Sequence, residues 1–521
     1  MIQGTGSSVG KSIIACALCR ILSQDGYRVA PFKAQNMALN SFVTKDGKEM
    51  GRAQVAQAEA AGIDPMVEMN PILLKPTGDC GSQVIVMGKP LRNMSAQEYY
   101  KCKGEMLGVV KDAYNVLASQ FDIIVIEGAG SPAEINLKEN DIVNMKMAEI
   151  ANAPVILVTD IDRGGAFAWI VGTLELLNEA ERERIFGVVL NKLRGDPQIL
   201  QPGLDMLEKR TGKQVLGLVP FINGLSIDDE DSVSLDGVPR TNKFAHATLS
   251  ATDIDIAVIK LPRISNFTDF DSFKHYNGVC VRYIDDPDDL GNPDVIILPG
   301  TKNTIGDMLW IRANGLENAV INKKNSGTMI IGVCGGYQMM GKEILDTEHV
   351  ESNHTRVHGM GLLDVTTTFL PEKCTYQAKA NLLPNTLPFS VQNTLTGYEI
   401  HMGRTTPHPD PSPQGRRVGR GGIRPLLRII ERSDKPVDVL DGAVSHDGLL
   451  WGTYFHGIFD NDEFRSQLIK FLYTKKGHPP LSRFEVISTA QKKKIHYDNL
   501  ANTVRNNIKM DIIYKRIGLN W

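Results

Sequence analysis

Short runs that are apolar on both faces recur along this chain, separated by amphipathic stretches. A covered parallel sheet accounts for that pattern. Up to about residue 222 the runs are YRVAPF, QVIVMG, FDIIVIEG, APVILVTD, IFGVVLNK and QVLGLVP. A strand buried on both faces shows no polar alternation, and parallel strands need long crossovers such as MSAQEYYKCKGEMLGVVKDAYNVLAS. Residues 223–252 lose the pattern and gain Asp, Ser, Asn and Gly, which predicts a linker. A second series then follows: DIAVIKL, GVCVRYI, PDVIILPG, GTMIIGVCG and LLWGTYFHG. At 521 residues the chain is too long for one core. The expectation is α/β architecture in two domains, 1–222 and 253–521, the second closing with a helical tail. Within the second, PHPDPSPQGRRVGRGG at 407–422 has no apolar period and reads as a surface insertion.

The first domain opens on GTGSSVGKS, residues 4–12. Gly10, Lys11 and Ser12 are the strong part of a P-loop: backbone amides at a helix start cradle phosphate, Lys11 reaches the terminal phosphates, and the Ser12 hydroxyl ligates Mg²⁺. The strict pattern wants glycine at position 5, where Thr5 stands, with Gly4 one place earlier. Only Met1, Ile2 and Gln3 precede the loop, so the first strand is expected to pair weakly or the natural chain to begin upstream. FDIIVIEG ends in Glu127, which emerges at the carboxyl edge of the sheet where a second metal-contacting carboxylate is needed. Lys33 follows YRVAPF at the same edge and could neutralise a transferring phosphoryl group. NKLRGD at 191–196 resembles the guanine-reading Asn-Lys-x-Asp, but Arg194 stands where the Asp would accept from guanine. Adenine, and hence ATP, is the better fit, with Asn191 a candidate for its edge.

In the second domain, GVCGGYQMMG at 332–341 sets one cysteine among small residues where a strand turns into a helix. Such an elbow exposes the sulfur and lowers its thiol pKa. Cys334 is therefore a candidate nucleophile, and the Gly335 amide can help hold an oxyanion. The ordinary fate of a lone cysteine is inert burial; the flanking glycines favour function here. A thiolate needs a base, and YFHGIFDN offers His456 at a strand end. His401 in GYEIHMGRT is the rival. PGTKN follows another strand and could supply a second oxyanion amide near Gly300.

Composition removes several classes of function. A net charge of −3 provides no bulk attraction to nucleic acid or anionic membranes. No apolar run approaches the ~18 residues of a membrane span. The seven cysteines form an odd, scattered set, which argues against a complete disulfide framework and for a reducing cytoplasm. Cys16 and Cys19 fall on one helical face rather than forming a metal pair.

These motifs carry a family resemblance. GTGSSVGKS is similar to the loop of dethiobiotin synthetase-type P-loop proteins, Gly-Thr-x-x-x-x-Gly-Lys-Ser/Thr, in which Thr5 is regular. The second half resembles the Triad class I glutamine amidotransferases. PFKAQNMALNS, EMGRAQVAQAEAA, IEGAGSPAEINL, DIDRGGAFA, LPGTKNT, GVCGGYQMMG, GYEIHMGRT and YFHGIFDN together resemble the cobyric acid synthase family over nearly the full length. The resemblance implies that Cys334 and His456 release ammonia from glutamine. It also implies that Mg-ATP phosphorylates a substrate carboxylate, which ammonia converts into an amide. The family's substrate is adenosylcobyrinic acid a,c-diamide, a corrinoid amidated at its b, d, e and g carboxylates. Lys11, Ser12 and Glu127 carry over to phosphates and metal, and Lys33 to phosphate or carboxylate. Asp160, Asp162 and Arg163 are assigned to the substrate side. Amidotransferases outside the Triad class have Glu two residues after the histidine; that place is Ile458 here, so a Cys-His pair without that carboxylate is expected. The rivals are an a,c-diamide synthase and a P-loop switch with an inactive amidotransferase domain.

Overall fold

A computed structural model describes residues 1–77, 81–225, 227, 253–276, 278–407, 422–478 and 488–519. Most of the expected linker, and residues 408–421 of the expected insertion, lie outside the described residues. The chain divides into two compact units. The first is Met1–Ala38, Met50–Asp228 and Ala490–Trp521; the second is Leu39–Glu49 and Asp229–Thr489.

In the first unit, strands Ile2–Gly4, Val155–Asp160, Ile185–Leu193 and Gln214–Pro220 lie side by side in that order, all parallel. Val29–Phe32 pairs in parallel with Ile123–Ile126, and Ile2 bridges to Glu127. The short first strand is bonded on both edges rather than weakly paired. Ile156 N donates to Met1 O at 2.9 Å, and Gly128 N to Ile2 O at 2.8 Å. QVIVMG does form a strand, Gly81–Val86, but in a separate sheet between Ile72–Pro76 and Lys89–Ser95, antiparallel to both. An apolar run fixes burial, not the direction of its neighbours.

The C-terminal helices, Thr489–Asn507 and Met510–Arg516, belong to this unit apart from Thr489 itself. Tyr497, Leu500, Val504 and Ile513 join the core built by Ile14, Leu18 and Leu22. Arg505 clamps Asp25 with two bonds of 2.8 and 2.9 Å. Gly217 permits the contact, because a Cβ there would sit 1.9 Å from Asn507 O. The expected partition put this tail with the second half; an amphipathic face says that a helix packs, not on which sheet. Leu500 is fully buried, so Leu500→Ala should cost roughly 2–5 kcal/mol, read as a lowered Tm.

The second unit has a parallel sheet ordered Val279–Ile284, Ile254–Ile259, Val295–Leu298, Met329–Val333, Leu450–Thr453, with Ala443–Val444 antiparallel at its edge. Beside it lies a second sheet that the apolar runs did not announce. Val365–Leu382 pairs antiparallel with Leu395–Pro407 and with Leu427–Arg432. Phe455–His456 pairs with Tyr398 and Glu399, which brings the histidine to the edge of this sheet. Among the described residues no helix is long and apolar enough to cross a membrane, and the six described cysteines are free.

Candidate active sites

The first unit gathers Gly4, Lys33, Glu127 and Asp160 at one edge of its sheet, because each ends or follows a strand. Gly10 has φ +99° and precedes the helix Lys11–Gln24. A Cβ there would meet Asn191 Nδ2 at 2.0 Å, so the loop closes only with glycine. Lys11 Nζ donates to Gly6 O at 2.8 Å and to Gly130 O at 3.0 Å, spanning the cradle. The Thr5 and Thr159 hydroxyls meet at 3.0 Å, anchoring the loop's first half.

Glu127 is the fully buried hub of this edge. Its Oε1 accepts from Ser12 Oγ at 2.8 Å and Lys33 Nζ at 2.9 Å, and its Oε2 from Gln57 Nε2 at 2.5 Å. Burial alone would push the carboxyl up. The Lys33 ammonium, Gln57 and Ser12 outweigh it and hold Glu127 below the usual range. No group of three or more His, Cys, Asp or Glu side chains able to hold a metal occurs among the described residues. The adjacent oxygens of Ser12 and Glu127 nevertheless fit Mg²⁺, which takes one or two protein oxygens and completes its shell with phosphate and water.

Asn191, expected at a base edge, turns its Nδ2 to Val9 O at 3.0 Å and supports the loop from beneath. Lys192, which sequence reasoning passed over, donates to Ser8 O at 2.6 Å and to Asp160 Oδ2 at 2.8 Å. Arg163 Nε approaches Asp160 at 3.7 Å, while Asp162 pairs with Arg194 at 3.1 Å. Asp162, Arg194, Asp196 and Ile199 line a cavity of about 360 Å³, and Arg194 stacks 3.5 Å over the Phe221 ring.

In the second unit, Cys334 follows strand Met329–Val333 with φ +52° and ψ −110°, and helix Gly335–Met340 starts behind it. A positive φ at a non-glycine candidate nucleophile is the strained elbow its neighbours suggested. The flanking glycine is obligatory: a Cβ on Gly336 would lie 1.9 Å from Leu298 O. Gly300 and Gly335 come to the same place. A Cβ on Gly300 would be 3.4 Å from His456 Cε1, and one on Gly335 would be 3.1 Å from Thr301 N. Asp307 holds that loop, accepting from Thr301 Oγ1 at 2.5 Å and from Arg263 N at 3.2 Å.

His456 has a carboxylate partner that the sequence reading did not foresee. Asp269 Oδ2 lies 2.6 Å from His456 Nδ1, and both side chains are buried. Asp269 sits in NFTDFDSF, where Phe267, Phe270 and Phe273 enter the core; an acid inside such an aromatic run was the available signal. Burial alone would lower the His456 pKa. Asp269, and after it the nearby Cys334, raise it to about 10. The imidazolium is thus present below about 10 and is lost as pH rises through that value. By linkage the pair's contribution to stability is complete below the ordinary histidine pKa and disappears over the same rise. His401, the rival base, instead stacks on Tyr454 with centroids 3.8 Å apart and bonds Gly403 O through Nδ1 at 3.1 Å. Asp269→Asn should lower glutamine hydrolysis roughly 10²-fold or more and move the alkaline limb of kcat to lower pH. An unmoved limb would contradict this assignment.

Two family models match the chain. One, the CobQ/CobB/MinD/ParA nucleotide binding domain, covers residues 1–234; the other, the CobB/CobQ-like glutamine amidotransferase domain, covers residues 255–464. Relatives named cobyric acid synthase match over essentially the whole length. That of Pelotomaculum thermopropionicum is 50% identical, covering 100% of this chain and 96% of the relative. That of Alkaliphilus metalliredigens is 51% identical, covering 99% of each. That of Caldanaerobacter subterraneus subsp. tengcongensis is 49% identical, covering 99% and 97%.

Proposed function

The chain belongs to the cobyric acid synthase family, and from that premise we propose that it uses ATP and glutamine to convert corrinoid carboxylates into amides in cobalamin biosynthesis. The observation that carries this reading is the pairing, in one chain, of a Cys334–His456–Asp269 constellation with a P-loop beside a buried Lys33–Glu127 pair. One chemistry releases nitrogen; the other makes a carboxylate able to receive it.

At the first centre, Cys334 Sγ attacks the side-chain carbonyl carbon of glutamine. The oxyanion meets the amides at Gly300–Thr301 and Gly335, and His456 gives its proton to the departing nitrogen. Ammonia leaves a γ-glutamyl thioester, and water, deprotonated by His456, releases glutamate. Asp269 keeps the imidazole oriented through both steps.

At the second centre, a substrate carboxylate oxygen attacks the terminal phosphorus of ATP and ADP departs. Ammonia then attacks the acyl carbon and phosphate leaves, yielding the amide. A carboxylate oxygen is a hopeless leaving group until it is phosphorylated. Lys11 and the loop amides hold the phosphates, and Lys33 offsets the charge that develops during transfer. Ser12 and Glu127 would hold Mg²⁺, which supplies charge neutralisation at the phosphates. Asn191 and Lys192 shape the loop that cradles the phosphates, through Val9 O and Ser8 O.

The substrate we assign is adenosylcobyrinic acid a,c-diamide, amidated at b, d, e and g. Offering this compound and cobyrinic acid separately tests the assignment. Amides at b, d, e and g support it, and amidation of only the a and c carboxylates of cobyrinic acid contradicts it.

A further inference from the structure

His456 is held by Asp269 only as firmly as Asp269 itself is held. One carboxylate oxygen faces the imidazole, and the other, Oδ1, accepts from the Tyr398 hydroxyl at 3.4 Å. The Tyr398 ring also stacks on His456, with centroids 5.1 Å apart and planes 10° from parallel. Asn266 Nδ2 donates to the Tyr398 hydroxyl at 2.8 Å and to Ser41 O at 3.2 Å. That serine opens a hairpin, Ser41–Val43 turning back into Glu49–Gly51, and its part within Leu39–Glu49, an early stretch of chain, packs in the second unit.

Several independent contacts fix this hairpin. Phe42 and Tyr398 have ring centroids 5.6 Å apart, and Val43 packs with Tyr398 and Ile400. Ile400 O in turn accepts from Cys334 Sγ at 3.4 Å. Thr268 Oγ1 donates to Asn40 at 3.3 Å, Gln377 bonds Val43 O, and Lys373 pairs with the buried Glu49 at 2.5 Å. The hairpin therefore backs the strand that touches both the nucleophile and the base. Its chain arrives from strand Gln35–Met37, just after Lys33, and continues into helix Arg52–Ala61, which carries Gln57.

We propose that Tyr398 and Asn266, backed by the hairpin within Leu39–Glu49, are positioning residues for the Asp269–His456 pair. The assignment rests on the glutaminase reading of that centre. Neither residue touches glutamine in this account; Tyr398 acts by orienting the carboxylate and covering one imidazole face, Asn266 by orienting the Tyr398 hydroxyl. An early segment of the sequence is thereby a structural part of a centre whose nucleophile and base lie far downstream.

The test uses the full-length chain with Tyr398→Phe, which keeps the ring stack and removes the hydroxyl. Glutaminase kcat should fall about ten-fold while the KM for glutamine stays within about two-fold. The titratable groups that raise the His456 pKa are Asp269 and, after it, Cys334. Without the tyrosine donor, Asp269 directs more of its charge at the imidazole. The alkaline limb should therefore move up, opposite to the shift for Asp269→Asn. Phe42→Ala should also lower kcat and Phe42→Tyr restore it, with ammonia-dependent amidation unchanged throughout. An unmoved kcat and limb in Tyr398→Phe, or a parallel loss of ammonia-dependent amidation, overturns the proposal. Wild-type glutamine hydrolysis in the same series separates the two failures: its absence overturns the reading of the centre, and its presence with an unmoved Tyr398→Phe overturns the positioning role.

Discussion

Cys334→Ser abolishes glutamine-dependent amidation while amidation from free ammonia continues. That is the expected result, because the substitution removes the proposed nucleophile and leaves the proposed phosphoryl-transfer centre intact. Serine cannot replace the thiol here. The His456 imidazole, whose pKa Asp269 and Cys334 raise to about 10 against its burial, is the group that would take the nucleophile's proton, and an alcohol gives up its proton far less readily than a thiol. Glutamate release should fall roughly 10³-fold or more, the scale for losing a member of such a constellation. Paired assays with glutamine and ammonium salt, following glutamate and corrinoid, check it. Equal loss with both nitrogen sources would mean that Cys334 supports the fold rather than the chemistry.

The second large effect is expected at Lys33. Its ammonium lies 2.9 Å from Glu127, with side-chain exposures of 4% and 0%. Lys33→Ala leaves a buried carboxylate without its countercharge, which costs about 3–5 kcal/mol of stability. It also removes the cation assigned to the transferring phosphoryl group, so amidation should fall with both nitrogen sources. Without Lys33, burial dominates and the Glu127 pKa rises, so the variant should regain stability as pH falls and the carboxyl becomes neutral. Lys33→Ala combined with Glu127→Gln isolates the electrostatic contribution to stability. The neutral pair should recover most of the lost Tm and none of the activity, while glutamine hydrolysis persists throughout. Recovery of amidation in the double variant would remove both Lys33 and the Glu127 metal contact from the chemistry.

Local chemistry was the legible part of this chain. Gly10 and Gly336 are forced, because a Cβ at either would lie 2.0 or 1.9 Å from a neighbouring atom. Such constraints leave their trace as closely spaced glycines, so the loop and the elbow were readable. The strands of both parallel sheets were readable for a similar reason, since burial on two faces excludes polar alternation. Asp269 was not, because it reaches His456 from 187 residues away and no spacing rule links them. The tail helices showed an apolar face but not its destination, which Gly217 and Asp25 decide in three dimensions. The hairpin at Leu39–Glu49 carries polar and apolar residues in ordinary proportion, and only its contacts with Tyr398 and Asn266 reveal where it serves.

In the function proposed, one chain moves nitrogen from glutamine onto ATP-activated corrinoid carboxylates. Mass spectrometry of the corrinoid tests it most directly, after incubation with Mg-ATP and glutamine carrying heavy nitrogen in its side-chain amide. A heavy amide is expected at each of the b, d, e and g positions, dependent on ATP. With Cys334→Ser, unlabelled ammonia should give the same amides without the label. Glutamine hydrolysis with an unchanged corrinoid, or amides formed without ATP, would contradict it.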